Sequence, residues 1–119
     1  MPQISFKKPS NYKSYRYSII NINVDKFDKA WSESAFYAYP GEVSLKNPNK
    51  LEYYKKQIEN NENIEWEMPE AKIGKEKGQK IVGIIDGRHR YIILRGMGYK
   101  IIPIMVPKKQ TSVFIKKFS

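Results

Sequence analysis

The chain has no cysteine among its 119 residues, which excludes disulfides, thiolate metal sites and thiol nucleophiles and leaves the compartment unread from redox usage. It has one histidine, His89, so a metal site built from histidines alone is excluded and any imidazole chemistry belongs to that residue. No run approaches the roughly 18 consecutive apolar residues of a membrane span, and the first residues, MPQISFKKPSNYK, lack the apolar stretch of a signal peptide. A soluble, cytoplasmic chain without a membrane partner is expected. Acid is missing from both ends, with none before Asp25 and none after Asp86. There is no internal repeat, low-complexity tract or domain boundary.

What is present is base. Twenty-two Lys and Arg against 12 Asp and Glu give a net charge of +10, which favours polyanionic partners such as nucleic acid or nucleotides. The charge is segregated: Glu59, Glu62, Glu65, Glu67 and Glu70 follow one another with no base between them, which predicts a basic face and an acidic edge. A chain of this length can bury roughly two thirds of its unfolded surface in one core, and the expected organisation is a basic N-terminal arm over residues 1–14 followed by a single domain over 15–119.

The arm, with Pro2 and Pro9, is expected to hold little regular structure. Tyr15 to Val24 alternates as a strand with a slip of phase, and so a bulge, near Ile19 and Ile20. Asp25 then stands as a candidate cap for a helix over Lys26 to Tyr37, with Phe27, Trp31 and Ala35 on one face, although the aromatic run Phe36 to Tyr39 suits an extended segment equally. Residues 40–49 read as a loop, and Leu51 to Asn60 as an amphipathic helix capped by Asn49. Ile64 to Ile73 alternates across Pro69, which predicts an edge strand or a strand entered at the proline. Gly74 to Gln79 reads as a turn, and the SVFI segment after Pro107 as a short alternating stretch.

The most informative stretch is IVGIIDGRHRYIILRGMGYKIIPIMVP, Ile81 to Pro107, whose order is strand, polar turn, helix, strand. Gly87 supplies the permissive backbone of a sharp turn into a helix, and a first helical turn has free N–H groups and a partial positive charge that attract anions. Arg88, His89 and Arg90 add two guanidiniums and an imidazole there, against the preference of the helix dipole for acids at that end. The turn reads as a phosphate-binding turn. The alternative is that Asp86 only caps the helix and that the arginines pair with the Glu cluster.

Residues 81–106 resemble the ParB/sulfiredoxin superfamily, whose members carry an apolar strand, a D-G-x-H-R type turn, a helix, a glycine and an I-P-V-x-V type strand. Here the corresponding parts are Ile81 to Ile85, Asp86 to Arg90, Tyr91 to Gly96, Gly98 and Ile101 to Val106. The resemblance implies an α+β fold with a small mixed sheet and packed helices, in which Gly87, Arg88, His89 and Arg90 wrap a nucleotide's phosphates. Sulfiredoxins bind ATP and attack with a cysteine before the His-Arg pair. That position is Arg88 here, so peroxiredoxin repair is excluded. ParB partition proteins bind CTP and add a helix-turn-helix and a dimerisation segment, which this chain, ending soon after the last strand, is not expected to hold. The remaining relatives include ParB-like nucleases, toxin domains and small-metabolite kinases.

The resulting expectation is an enzyme acting on nucleotide or nucleic-acid phosphate, a nuclease or an NTP hydrolase. Its cofactors would be ATP or another NTP and Mg²⁺; as a secreted toxin fragment it would meet an immunity protein. A non-catalytic DNA-binding or regulatory module and an ATP-dependent kinase of a small metabolite are the alternatives. His89 would act as general acid or base, Arg88 and Arg90 would stabilise phosphoryl oxygens, and Asp86 would orient His89 or join Glu67 and Glu70 as an Mg²⁺ ligand, oxygen donors being what Mg²⁺ prefers. For Glu67 and Glu70 the solvated acidic edge is the favoured reading. Nine tyrosines and two tryptophans beside lysines resemble a stacking surface for single strands, but such residues are more often core and boundary residues.

Overall fold

The structure is a computed structural model that describes residues 3–34, 48–76 and 78–119. Its elements are β1 (Gln3–Lys7), β2 (Tyr17–Asn23), α1 (Val24–Ser32), α2 (Pro48–Asn60), β3 (Asn63–Glu67), β4 (Glu70–Glu76), β5 (Gln79–Asp86), α3 (Arg88–Gly96), β6 (Ile101–Pro107), a 3₁₀ turn (Lys108–Gln110) and α4 (Thr111–Phe118). The fold is α+β. Four strands form a mixed sheet in the order β2-β6-β4-β5, and β1 and β3 form a separate parallel pair. Among the described residues no helix is long and apolar enough to cross a membrane.

The core is aromatic where the helices meet the sheet. β2 buries Ile20 and Ile22, and its exit into α1 is capped by the Asn23 side chain, which accepts from Lys26 N at 3.1 Å. Asp25 sits inside the first turn instead of capping it, so its charge complements the helix dipole. Phe27 and Trp31, four apart, are fully buried and meet Tyr91 of α3 at ring-centroid distances of 5.6 and 5.4 Å. Phe118 of α4 reaches Phe27 at 5.3 Å, which ties the last helix to the first.

Several elements depart from expectation for identifiable reasons. In the N-terminal arm, Ile4 and Phe6 alternate well enough to pair β1 with β3, with Ile4 opposite Ile64 and both buried. β2 pairs with β6 in unbroken register from Tyr17↔Pro107 to Asn23↔Ile101. No bulge is needed, because Tyr17 and Ile19 lie half-buried on one face while Ile20 and Ile22 fill the other. Helix α1 stops at Ser32; Ala35 to Tyr37 of the expected helix, the alternative extended run to Tyr39 and loop residues 40–47 lie outside the described residues. Helix α2 opens at Pro48, a residue suited to the first helical position, which places Asn49 inside the helix.

The expected strand over Ile64 to Ile73 is two strands in two sheets. Pro69, buried between β3 and β4, ends the pairing with β1 and enters the larger sheet, where its carbonyl accepts from Met105 N at 2.9 Å. β4 touches β6 only at Glu70↔Met105. Beyond that point Gln110 fills in: its Nε2 donates to the Ile73 carbonyl at 2.6 Å and its Oε1 accepts from Ile73 N at 2.8 Å. The turn expected over Gly74 to Gln79 is shorter, because β4 runs to Glu76 and β5 starts at Gln79. The SVFI segment is helical, since Phe114 and Phe118, four apart, both point into the core.

Phe114→Ala is expected to lower the unfolding free energy by about 3 to 5 kcal/mol in a urea titration. A change below about 1 kcal/mol would show that α4 is peripheral.

Candidate functional site

β5 delivers Asp86 to the surface, and Gly87 turns the chain into α3 with φ +85° and ψ 18°. Two independent constraints require glycine there. The left-handed φ is unfavourable for residues with a Cβ, and a Cβ on Gly87 would stand 2.7 Å from Arg90 Nη2 and 3.0 Å from the Pro69 Cα. The first helical rung is Tyr91 N to the Gly87 carbonyl at 2.9 Å, and no side chain caps the helix. Asp86 is therefore not the cap. The N–H groups of the first turn have no intrahelical acceptor and carry the positive end of the helix dipole.

A polar cleft of about 130 Å³ opens over this turn, lined by Lys50, Ile85, Asp86, Gly87, Arg88 and His89. His89 is only 4% exposed, and its Nε2 is buried without a hydrogen-bond partner. Burial first, and then the positive charges of Lys50, Arg88 and Arg90, hold its pKa below the ordinary 6.5, so the imidazole is neutral at pH 7. Arg88 is exposed at the rim and free to reach an anion.

Arg90 does not line the cleft. Its side chain, 10% exposed, packs under the turn, with Nη2 3.7 Å from Asp86 Oδ2 and Cζ 5.9 Å from the Tyr54 ring centroid. Its Nε is buried and unpartnered. The expected carboxylate set is also dispersed. Glu70 stands opposite Asp86 in the β4–β5 register and accepts from Asn11 Nδ2 at 3.4 Å, whereas Glu67 lies on β3 opposite Lys7 in the other sheet. Among the described residues no three His, Asp or Glu side chains group as metal ligands, so Asp86, Glu70 and Glu67 do not fit a protein-held Mg²⁺.

Lys50 was not singled out from the sequence. One signal marks it in retrospect: α2, like α3, opens with a cation and no acid in its first turn, against the dipole preference. The cations at the two helix starts line one cleft. Chemically the arrangement offers N–H donors, two reachable cations and a neutral imidazole, which suits an oxyanion.

No family model matches the chain, and no curated protein does. Among solved structures it is similar in fold to the crystal structure of Oncogenic Suppression Activity Protein, a plasmid fertility inhibition factor, studied as a gold(I) cyanide derivative. The TM-score is 0.66 at 15% identity, and the match covers 92% of this chain and 60% of that one, so the chain spans about three fifths of the length of that protein.

Gly87→Ala is expected to destabilise the fold by about 1 to 3 kcal/mol, readable in chemical denaturation, because strain and steric conflict add. The single histidine makes the second prediction simple to read by NMR: its titration midpoint should lie below 6.5 and rise when phosphate is added. Because the folded pKa is depressed, the unfolded chain binds the proton better. Stability is full above 6.5 and should fall as pH drops through 6.5 toward the folded value.

Proposed function

We propose that this chain is a ParB/sulfiredoxin-like domain that binds a nucleotide or nucleic-acid phosphate in the Gly87 cleft and hydrolyses a phosphoester bond there, as a nuclease or NTP hydrolase. The observation that carries the reading is His89: a buried imidazole, its Nε2 without a hydrogen-bond partner, that lines a cleft at an uncapped helix start, with Lys50 and Arg88 as the cations beside it. A buried polar atom without a partner is costly, and a ligand that supplies the missing hydrogen bond removes that cost. The DGRHR turn, the α+β fold and the net charge of +10 support the same reading.

In this mechanism two phosphoryl oxygens sit on the first-turn N–H groups and on Arg88 and Lys50, which stabilise the charge that develops as the phosphorus is attacked. The neutral imidazole takes a proton from the attacking water as its oxygen bonds to phosphorus, and the bond to the leaving oxygen breaks with its electron pair. Where the leaving group is an alkoxide, it is reprotonated from solvent. Arg90 holds Asp86 and supports the turn from beneath, adding positive potential without touching the ligand.

A module that holds phosphate without turning it over is the second reading. It is favoured by one observation: Asp86, the sole acid among the described residues lining the cleft, is drawn to Arg90 instead of being directed at His89.

The test incubates the protein with plasmid DNA, RNA and ATP, each with and without Mg²⁺, beside His89→Ala and Arg88→Ala. His89→Ala should slow turnover about 10²- to 10⁴-fold. If the wild type cleaves none of the three, the recognition reading replaces the hydrolase. Turnover that survives intact in His89→Ala would remove the imidazole from the reaction.

A further inference from the structure

Resting on the reading of the cleft as a phosphate site, we infer that the flank of α2 leading away from it, Lys50, Tyr53 and Lys56, carries an unpaired stretch of nucleic acid, so that the ligand is a single strand. Lys50 lines the cleft, and Tyr53, one turn further along the helix, is 59% exposed. The Tyr53 ring is held in place: Gln57 Nε2 donates to its hydroxyl at 3.2 Å, and its centroid lies 5.4 Å from that of Tyr54 at 68° between planes. Tyr54 is itself fixed between Trp66, at 5.3 Å, and the Arg90 guanidinium. A solvent-exposed aromatic that is already ordered loses little freedom when something stacks on it.

Charge points the same way. At 3.6 residues per turn, Lys50, Tyr53, Gln57 and Asn60 form one stripe with no acid in it, while Glu52 and Glu59 share the opposite side. Lys56, one turn beyond Tyr53 and exposed, lies between that stripe and the acids, four residues after Glu52 and three before Glu59. The order from the cleft outward is therefore phosphate site, cation, aromatic, cation. An unpaired strand offers phosphates to the cations and a bare base to the ring between them. A duplex keeps its base faces stacked inside.

The experiment measures fluorescence anisotropy of a short labelled single strand, the duplex of the same sequence and a labelled nucleoside triphosphate against wild type, Tyr53→Ala, Tyr53→Phe and Lys56→Glu. Tyr53→Ala should weaken the single strand about 5- to 150-fold, the range for loss of one stacked base. Tyr53→Phe, which keeps the ring and loses only the Gln57 hydrogen bond, should retain most of the affinity, and Lys56→Glu should weaken the strand and flatten its salt dependence. The inference is overturned if Tyr53→Ala binds the strand as the wild type does, or if the duplex or the triphosphate loses as much as the strand. Cleavage is scored in the same samples. Binding through Tyr53 without cleavage keeps this inference and sinks the hydrolase; cleavage with strand binding unaffected by either substitution does the reverse.

Discussion

The backbone at Gly87 has a left-handed φ and lies so close to Pro69 and the Arg90 guanidinium that a Cβ there would be strained and would displace its neighbours. Much of the site end of the molecule follows from that approach. Pro69 is where the chain leaves the small β1–β3 pair and enters the four-stranded sheet, so the contact joins the point where β4 begins to the point where β5 ends. Because the turn adopts a left-handed φ, α3 starts at once after the strand, without a capping side chain. Arg90 is then drawn under the turn, and His89 is left as the buried imidazole beside the uncapped helix start.

The charges around the cleft run against the local helix dipoles. Cations in the first turns of both α2 and α3 oppose the helix dipoles, each at a cost of about 0.3 to 1 kcal/mol when exposed. Burying a guanidinium under a turn with its Nε unpartnered adds to that cost, and the 3.7 Å contact with a largely exposed Asp86 offsets little of it. An anion in the cleft would offset the cost of the cations at the two helix starts, while the burial of Arg90 would remain. Burial and the same neighbouring cations keep His89 neutral, so the cleft joins positive charge to an uncharged imidazole.

The part of the chain read correctly from sequence is the part whose signals are local. From β5 through α3 to β6, apolar runs, a glycine turn and helical spacing agree with one another, and Asp86, Gly87, Arg88 and His89 do come together on one cleft. What could not be read depends on tertiary partners. The alternation from Ile64 to Ile73 continues across Pro69, and nothing local says that its halves join different sheets. Val113 and Ile115 suggested alternation in SVFI, yet they are partly exposed, and it is Phe114 and Phe118 that decide the helix. Lys50 reaches the site only because α2 packs on α3, and the direction of Arg90 is set by the space beneath Gly87.

Gln110 illustrates a different demand on the fold. After β4 parts from β6, the peptide groups of Ile73 would face outward as a short open template, the kind of edge to which a strand from another molecule can add. The Gln110 side chain occupies both the N–H and the carbonyl of that residue, as a passing strand would. One amide near the end of the chain's last strand thus satisfies both backbone groups at a place where the neighbouring strand has parted, and leaves them unavailable to a strand from another molecule.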